Sequence, residues 1–474
     1  MPWDTTEAKN TKFQKNISRY YFGRTCKMKK TIRSLAILIA AVLCFTLLAS
    51  CGTSGNENNS PAPSQDPGSS SAPSQNPQVV GDDKTEILVG YVAPFTGPLG
   101  FFTEQFEWSS KQCLDAINAE GGIFIEAYGK KLPIRLITAD TQSDPNIAAE
   151  VATNLVLNND LDLLIGAWTP TTSIPVSAVA ERYKVPALME NSPAEAWLSG
   201  GPYEWASAMM FYNQTVLEAF ADSLKNLEAI EPTNKRVGFV FDSDTDGLMW
   251  AESYAEIMPP AGYTVVDPGR FPVSTTDYTS IINQLKTGDC DVVIANMLTP
   301  NFITFWQQCY QLGYIPKVML IGRGMEFMSA VVALGETEGD GIISETLWDK
   351  MLPYRSHLLN MSATELWNKY ESETNTSASY CLGNDVTIFE IVNDTLSRCK
   401  DLEPETVREA LRATNLDTVG GHMSFDENHV SPLPAFMIQW TVGERFPYEP
   451  IVISASNPDV PLADPYIIKN HTMG

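Results

Sequence analysis

From Glu86 onward, short apolar runs alternate with stretches whose apolar residues recur every three or four positions, and turn-forming residues separate the two. Ile87-Leu88-Val89-Gly90-Tyr91-Val92 predicts a buried strand, and Pro94-Phe95-Thr96-Gly97-Pro98-Leu99-Gly100 a turn-rich loop. Residues 104–120 predict a helix ended by Gly121-Gly122. Strands at 133–139, 161–166 and 185–189 follow, with helices at 147–158 and 172–183 between them. A second series starts with a strand at 236–241 and continues with strands at 263–266, 292–294 and 317–321. Its helices fall at 248–258, 280–286 and 302–312. Strands that alternate with helices predict an α/β fold with parallel sheets covered on both faces, and two such series predict two lobes facing across a cleft. Ligands of such sheets sit beyond the carboxyl ends of the strands. The loops to watch are therefore 96–102, 167–173, 190–194, 242–247, 296–301 and 322–327.

The first eighty residues follow a different pattern. An uncharged, mostly apolar run from Ser34 follows Lys29, Lys30 and Arg33 and ends in Leu48-Ala49-Ser50-Cys51. This is the layout of a lipoprotein signal peptide, with Cys51 supplying the thiol for a diacylglyceryl chain. The competing reading, a transmembrane helix, is disfavoured by the short span and by the lack of a basic flank after it. Met28-Lys29-Lys30 reads as the true start, so residues 1–50 are expected to be a signal peptide with a spurious extension. The mature chain is then expected on the outer face of the cytoplasmic membrane. Residues 51–83 carry no large apolar side chain before Val79 and repeat Ala62-Pro63-Ser64-Gln65 as Ala72-Pro73-Ser74-Gln75. Such a segment cannot bury a core and reads as a lipidated tether.

Charge and cysteine content narrow the classes further. The net charge is −25, and residues 1–50 hold nine Lys or Arg against two Asp or Glu, which leaves the rest at −32. That argues against nucleic acid, and against any membrane contact other than the anchor. Beyond Cys51 stand Cys113, Cys290, Cys309, Cys381 and Cys399, with no C-x-x-C spacing; helix-spaced cysteines such as Cys113 read as small core residues. Asp242, Asp244 and Asp246, ahead of Gly247, match the first half of a calcium loop. The closing Glu is displaced, however, since position 253 is Ser253 and Glu252 comes one place early. The alternative is a plain strand-to-helix loop whose acids cap the next helix, and Asp244 is kept as a ligand contact. The chain has no Gly-x-Ser-x-Gly, His-Glu-x-x-His or Gly-x-x-x-x-Gly-Lys motif and only four histidines, so catalysis is the class with least support, and no cofactor is expected.

Several segments together resemble one family. Val92-Ala93-Pro94-Phe95-Thr96-Gly97-Pro98, Ala116-Ile117-Asn118-Ala119-Glu120-Gly121-Gly122 and Asp140-Thr141-Gln142-Ser143-Asp144-Pro145 occur in the order found in type I periplasmic solute-binding proteins of ABC importers. Leu164-Ile165-Gly166-Ala167, Gly339-Asp340-Gly341 and the late Asn415-Leu416-Asp417-Thr418-Val419-Gly420-Gly421 continue that resemblance, which is to the leucine-isoleucine-valine-binding group. It implies two Rossmann-like lobes joined by three hinge crossings, near 202–208, 348–354 and 423–429. Lobe 1 would be 84–204 with 353–424, and lobe 2 would be 205–352 with 425–474. It implies a monomer that closes on an amino acid or related small carboxylate and delivers it to permease subunits of an ABC importer. A ligand-sensing ectodomain is the alternative, and binds by the same physics. By the same resemblance, Thr169, Asn191 and Ser192 would hold the carboxylate and amino group, with Thr96 in the first loop and Glu326 receiving the ammonium. Trp168 and Trp205, with Phe102, Phe211 and Tyr212, would make the cleft aromatic, favouring a larger apolar or planar solute; the competing reading is that these rings are core.

Overall fold

A computed structural model describes residues 84–455 and 457–468. The signal segment, Cys51 and the tether lie outside the described residues. The first sheet contains β1 (Ile87–Ala93), β2 (Ile134–Asp140), β3 (Leu163–Ala167), β4 (Ala187–Pro193) and β5 (Ala206–Phe211) in the order β5-β4-β3-β1-β2. All are parallel, and the short strand Val430–Pro432 extends the sheet beyond β5.

β1 and β3, in the middle of the sheet, are buried and apolar without alternation because helices cover both faces. On one face Val89, Tyr91, Leu163, Ile165 and Leu188 pack with Phe106, Cys113 and Ile117 of α1 (Phe106–Ala119). On the other, Val92, Leu164 and Met189 pack with Ala148 and Ala152 of α2 (Pro145–Asn158) and Val176 and Ala180 of α3 (Pro170–Tyr183). α2 starts two residues earlier than its apolar spacing indicates. Asp144 accepts hydrogen bonds from the Asn146 and Ile147 amides, and Pro145 stands at the first helical position, where a missing N–H costs nothing.

The second half repeats the plan. It runs α4 (Asn213–Ile230), β6 (Arg236–Asp242), α5 (Thr245–Ile257), β7 (Thr264–Val266), β8 (Arg270–Phe271), α6 (Thr279–Thr287), β9 (Val292–Asn296), α7 (Thr299–Gln311), β10 (Val318–Gly322) and β11 (Ile343–Thr346). The chain then returns through α8 (Ala363–Thr374), α9 (Tyr380–Ser397) and α10 (Pro404–Arg412), and ends with β12 (Phe436–Val442) and β13 (Tyr448–Ala455). The second sheet has the order β8-β6-β9-β10-β11-β12-β13, with β7 also on β6. Only β12 and β13 enter antiparallel. In the first sheet β1 lies between β2 and β3, and in the second β6 lies between the short strands β7 and β8 on one side and β9 on the other; the crevice at such a reversal is where ligands of such sheets bind.

Two expected crossings move. The resemblance places residues from 205 in the second lobe, yet β5 pairs with β4 in the first sheet, so the chain leaves that sheet only after Phe211. It likewise places residues from 425 in the second lobe. Val430–Pro432 instead pairs with β5, and the next strand of the second sheet is β12, from Phe436. The reason is the same in both places: a parallel edge strand completes the first sheet before the chain crosses. After β11, Trp348 packs against α9 so closely that a Cβ at Gly383 would stand 2.1 Å from its ring.

Candidate functional site

At the carboxyl ends of β3 and β4 the backbone takes a conformation that side chains ordinarily resist. Trp168, Thr169 and Asn191 have φ of 68°, 63° and 46°, in the left-handed region. The two ends are held side by side: the Trp168 amide donates to the Glu190 carbonyl at 3.1 Å and the Thr169 amide to the Asn191 carbonyl at 3.2 Å. Thr169 then caps α3 with its backbone, and its hydroxyl and the Asn191 Oδ1 are buried without a protein partner. Ser192 is buried, with its hydroxyl 3.4 Å from the hydroxyl of Ser173. Buried polar atoms without partners are rare and costly, so their clustering at a strand-end crevice points to a ligand that completes them.

Below this turn lies a buried acid pair. The Trp168 indole nitrogen faces the Tyr91 hydroxyl, which donates to Glu190 Oε2 at 3.1 Å. Ser109 donates to Asp385 Oδ2 at 2.7 Å, while Glu190 Oε1 and Asp385 Oδ1 have no partner. Burial, reinforced by the charge of Asp385, drives the Glu190 carboxyl well above the usual range, and burial pushes Asp385 up to about 8.

Across the crevice, the loop after β10 carries Arg323, Glu326 and Phe327. The Arg323 guanidinium lies 2.9 Å from Asp242, 2.7 Å from Asp244 and 3.5 Å from Asp246. These three carboxylates therefore converge on a guanidinium rather than on a shared open position, and among the described residues no group of three or more His, Cys, Asp or Glu could hold a metal. The calcium reading gives way to an internal cation. Burial works against the charge of Asp244, yet Arg323 holds that carboxyl below its usual range, and Asp244 Oδ1 also accepts from the Gly247 amide at the start of α5. Glu326 accepts from the Tyr380 hydroxyl at 3.0 Å, a link between α9 and the second sheet. Burial pushes Glu326 up to about 7 despite hydrogen bonds from Tyr380 and Glu345, and raises Glu345 well above the usual range.

Aromatic rings close the crevice from both sides. Phe102 stacks on Trp168 with centroids 5.2 Å apart and meets Phe327 edge-on at 5.3 Å. Tyr380 lies 5.9 Å from Phe327 and 6.2 Å from Trp168. Glu104 and Ser329 add a hydrogen bond between the lobes at 3.1 Å.

The residues expected from sequence thus separate into groups. Phe102, Trp168, Thr169, Asn191, Ser192 and Glu326 gather at the crevice. Trp205 does not: it precedes β5, its carbonyl accepts from Ala187 at the start of β4, and Arg408 covers its ring at 4.6 Å. That is the amino end of the parallel strands, opposite the ligand loops. Thr96 is exposed and staples its loop to Asp140, with its hydroxyl donating at 2.6 Å. Phe211 ends β5, and Tyr212 donates to Asp426 at 3.4 Å, so both stand at the first crossing. Tyr91, Glu190, Asp385, Tyr380 and Phe327 were not singled out from sequence. An aid was available for Asp385: an acid inside a helix that is otherwise buried on nearly every side is a functional pointer.

A family model for periplasmic binding proteins matches residues 86–444. The chain belongs to the periplasmic binding protein family. Among curated relatives, this binding protein is 23% identical over 375 residues to a Leu/Ile/Val-binding protein homologue of Brucella abortus, covering 76% of this chain and 90% of that one. Among solved structures, it resembles a branched-chain amino acid transporter substrate-binding protein of Streptococcus pneumoniae in complex with isoleucine. That match has a TM-score of 0.63 and 19% identity, and covers 78% of this chain and 100% of that one. A solute-binding protein of an ABC transporter from Rhodopseudomonas palustris, in complex with 3,4-dihydroxybenzoic acid, matches with a TM-score of 0.63 and 14% identity, covering 80% of this chain and 99% of that one. These structural likenesses establish the type I fold, with its two lobes. No helix among the described residues is long and apolar enough to cross a membrane.

Proposed function

We propose that this protein captures a small organic solute, an amino acid or related carboxylate with an apolar or aromatic portion, and releases it unchanged to an ABC importer. The observation that carries this reading is the pair of left-handed turns at Trp168–Thr169 and Asn191, with two unpartnered side-chain oxygens at the end of adjacent strands. Strain of this kind costs of order 1–3 kcal/mol per residue and persists where a site needs the geometry. The carboxylate would rest near Thr169 and Ser192 at the start of α3, where the helix dipole favours an anion, and the apolar portion against Trp168 and Phe102. Relatives that hold isoleucine in one case and 3,4-dihydroxybenzoic acid in another support a fold whose lining side chains select the solute.

A thermal-shift screen of amino acids, aromatic carboxylates, amides and short peptides tests the reading. A solute at about a hundredfold excess over Kd adds about 2.7 kcal/mol of stability. Mass spectrometry of the solute after incubation should find it intact; turnover abolished by a cleft substitution would overturn the reading. In this proposal the body is tethered through Cys51. Cys51→Ala should release it to the medium or leave an uncut precursor, and an unmodified, uncut wild-type N-terminus rejects the anchor.

A further inference from the structure

The atoms left without partners around the crevice are mostly acceptors. Glu190 Oε1, Asp385 Oδ1, Asn191 Oδ1, Asp246 Oδ1, Asn296 Oδ1 and Glu345 Oε2 are buried and unbonded; the unbonded donors are fewer, an Asn384 amide, the Trp168 indole, which faces Tyr91, and Arg323 Nε, which lies 3.5 Å from Asp246. Arg323, the cation of this region, is consumed by three aspartates. Acid pairs therefore stand on both sides of the ring cluster, Glu190 with Asp385 in the first lobe and Glu326 with Glu345 in the second, and none of the four forms an ion pair with Lys, Arg or His among the described residues. Aromatic faces attract cations, and most strongly where water is excluded. Unpaired buried carboxylates gain most from a group that brings both positive charge and N–H donors.

The geometry points to a second cation subsite, the Glu190–Asp385 pair beneath Trp168, so that the solute carries positive charge in excess of negative: a basic amino acid or a diamine. This inference rests on the solute-binding reading above and narrows it. One ammonium would meet Glu326 and the Tyr380 hydroxyl, the other Glu190 and Asp385, and Phe102, Trp168 and Phe327 would line the carbon chain between them. Binding displaces protons held by the first pair, whose neighbours are Tyr91 on β1, Ser109 and Cys113 on α1, Trp168 after β3, Tyr370 on α8, and Cys381 on the same helix as Asp385.

Calorimetry with lysine, 1,5-diaminopentane, tetramethylammonium, leucine and 4-hydroxybenzoate tests this. Lysine or 1,5-diaminopentane should bind best, with protons released to the buffer, detected by comparing buffers of different ionisation enthalpy. Glu190→Gln and Asp385→Asn should each weaken that binding about tenfold or more while leaving or raising the melting temperature of the free protein. A structural role predicts the opposite, a lower melting temperature with unchanged affinity, and that result overturns the inference. Tight tetramethylammonium binding with weak diamine binding also overturns it, since rings alone would then suffice. Leucine or 4-hydroxybenzoate binding where the cations fail overturns the inference and leaves the solute-binding reading standing. If no probe binds at millimolar concentration the inference falls, and the wider screen then decides the other reading separately.

Discussion

Two tryptophans that look equivalent in the sequence end at opposite ends of the same parallel strands. Trp168 follows β3 at its carboxyl end and stacks on Phe102, whereas Trp205 precedes β5 at its amino end under Arg408. Composition cannot separate them; only the direction of the neighbouring strand does. Trp205→Ala should cost the stability expected when a large buried ring is lost, about 3–5 kcal/mol, with the Kd for solute unchanged. Trp168→Ala should instead weaken solute binding by more than ~1 kcal/mol in calorimetry. Equal effects of both on Kd would show that the distinction by strand end is wrong. The left-handed turn at Trp168–Thr169 was invisible in the sequence because nothing in the identity of a tryptophan or a threonine announces a positive φ, whereas Asn191 is of the non-glycine type that adopts one most readily.

At the level of elements, periodicity found the strands and helices it named in the two series, since buried parallel strands and amphipathic helices differ sharply in spacing, but it named none of α4, α8, α10, β8, β11, β12 or β13. It failed at edges: β5 and Val430–Pro432 complete the first sheet through pairings distant in sequence, and local pattern does not encode a partner. It also passed over α9, whose inward Asp385 and terminal Tyr380 bring the acid and the lobe contact. That helix shapes the pH response. Asp385 and Glu326 keep their protons in the folded protein to about pH 8 and about pH 7, but in the unfolded chain they lose them near the ordinary carboxylate range, about 4. Between those limits the folded state binds more protons, so stability falls as pH rises. Carboxyls held low, such as Asp140 and Asp144, titrate below this window and do not offset it. The melting temperature should therefore be lower at pH 9 than at pH 5, and Asp385→Asn should flatten the slope. A slope unchanged in that variant would assign the pH response elsewhere.

At the scale of the molecule, the lobes are joined by more than covalent passages. Ser329 of the second lobe donates to Glu104 of the first at the exposed rim, away from the acid pairs. Within the second lobe, Arg323 fixes the loop that carries Glu326 and Phe327 by neutralising three carboxylates from the loop after β6. Removing it leaves those charges buried and unopposed, so Arg323→Ala should lose several kcal/mol, and millimolar calcium should restore part of the loss, because the emptied position is lined by hard oxygens. No calcium response in that variant's melting curve would show the carboxylates splay apart instead. The rim bond between Glu104 and Ser329 has a different consequence. A contact that exists only when the lobes are together sets how often an unaided molecule visits the shape that retains its cargo, and the measured affinity is the intrinsic one multiplied by that frequency. Ser329→Ala should thus make capture weaker by a few-fold at a position the cargo never touches, acting as a spring constant of the trap rather than as part of its lining.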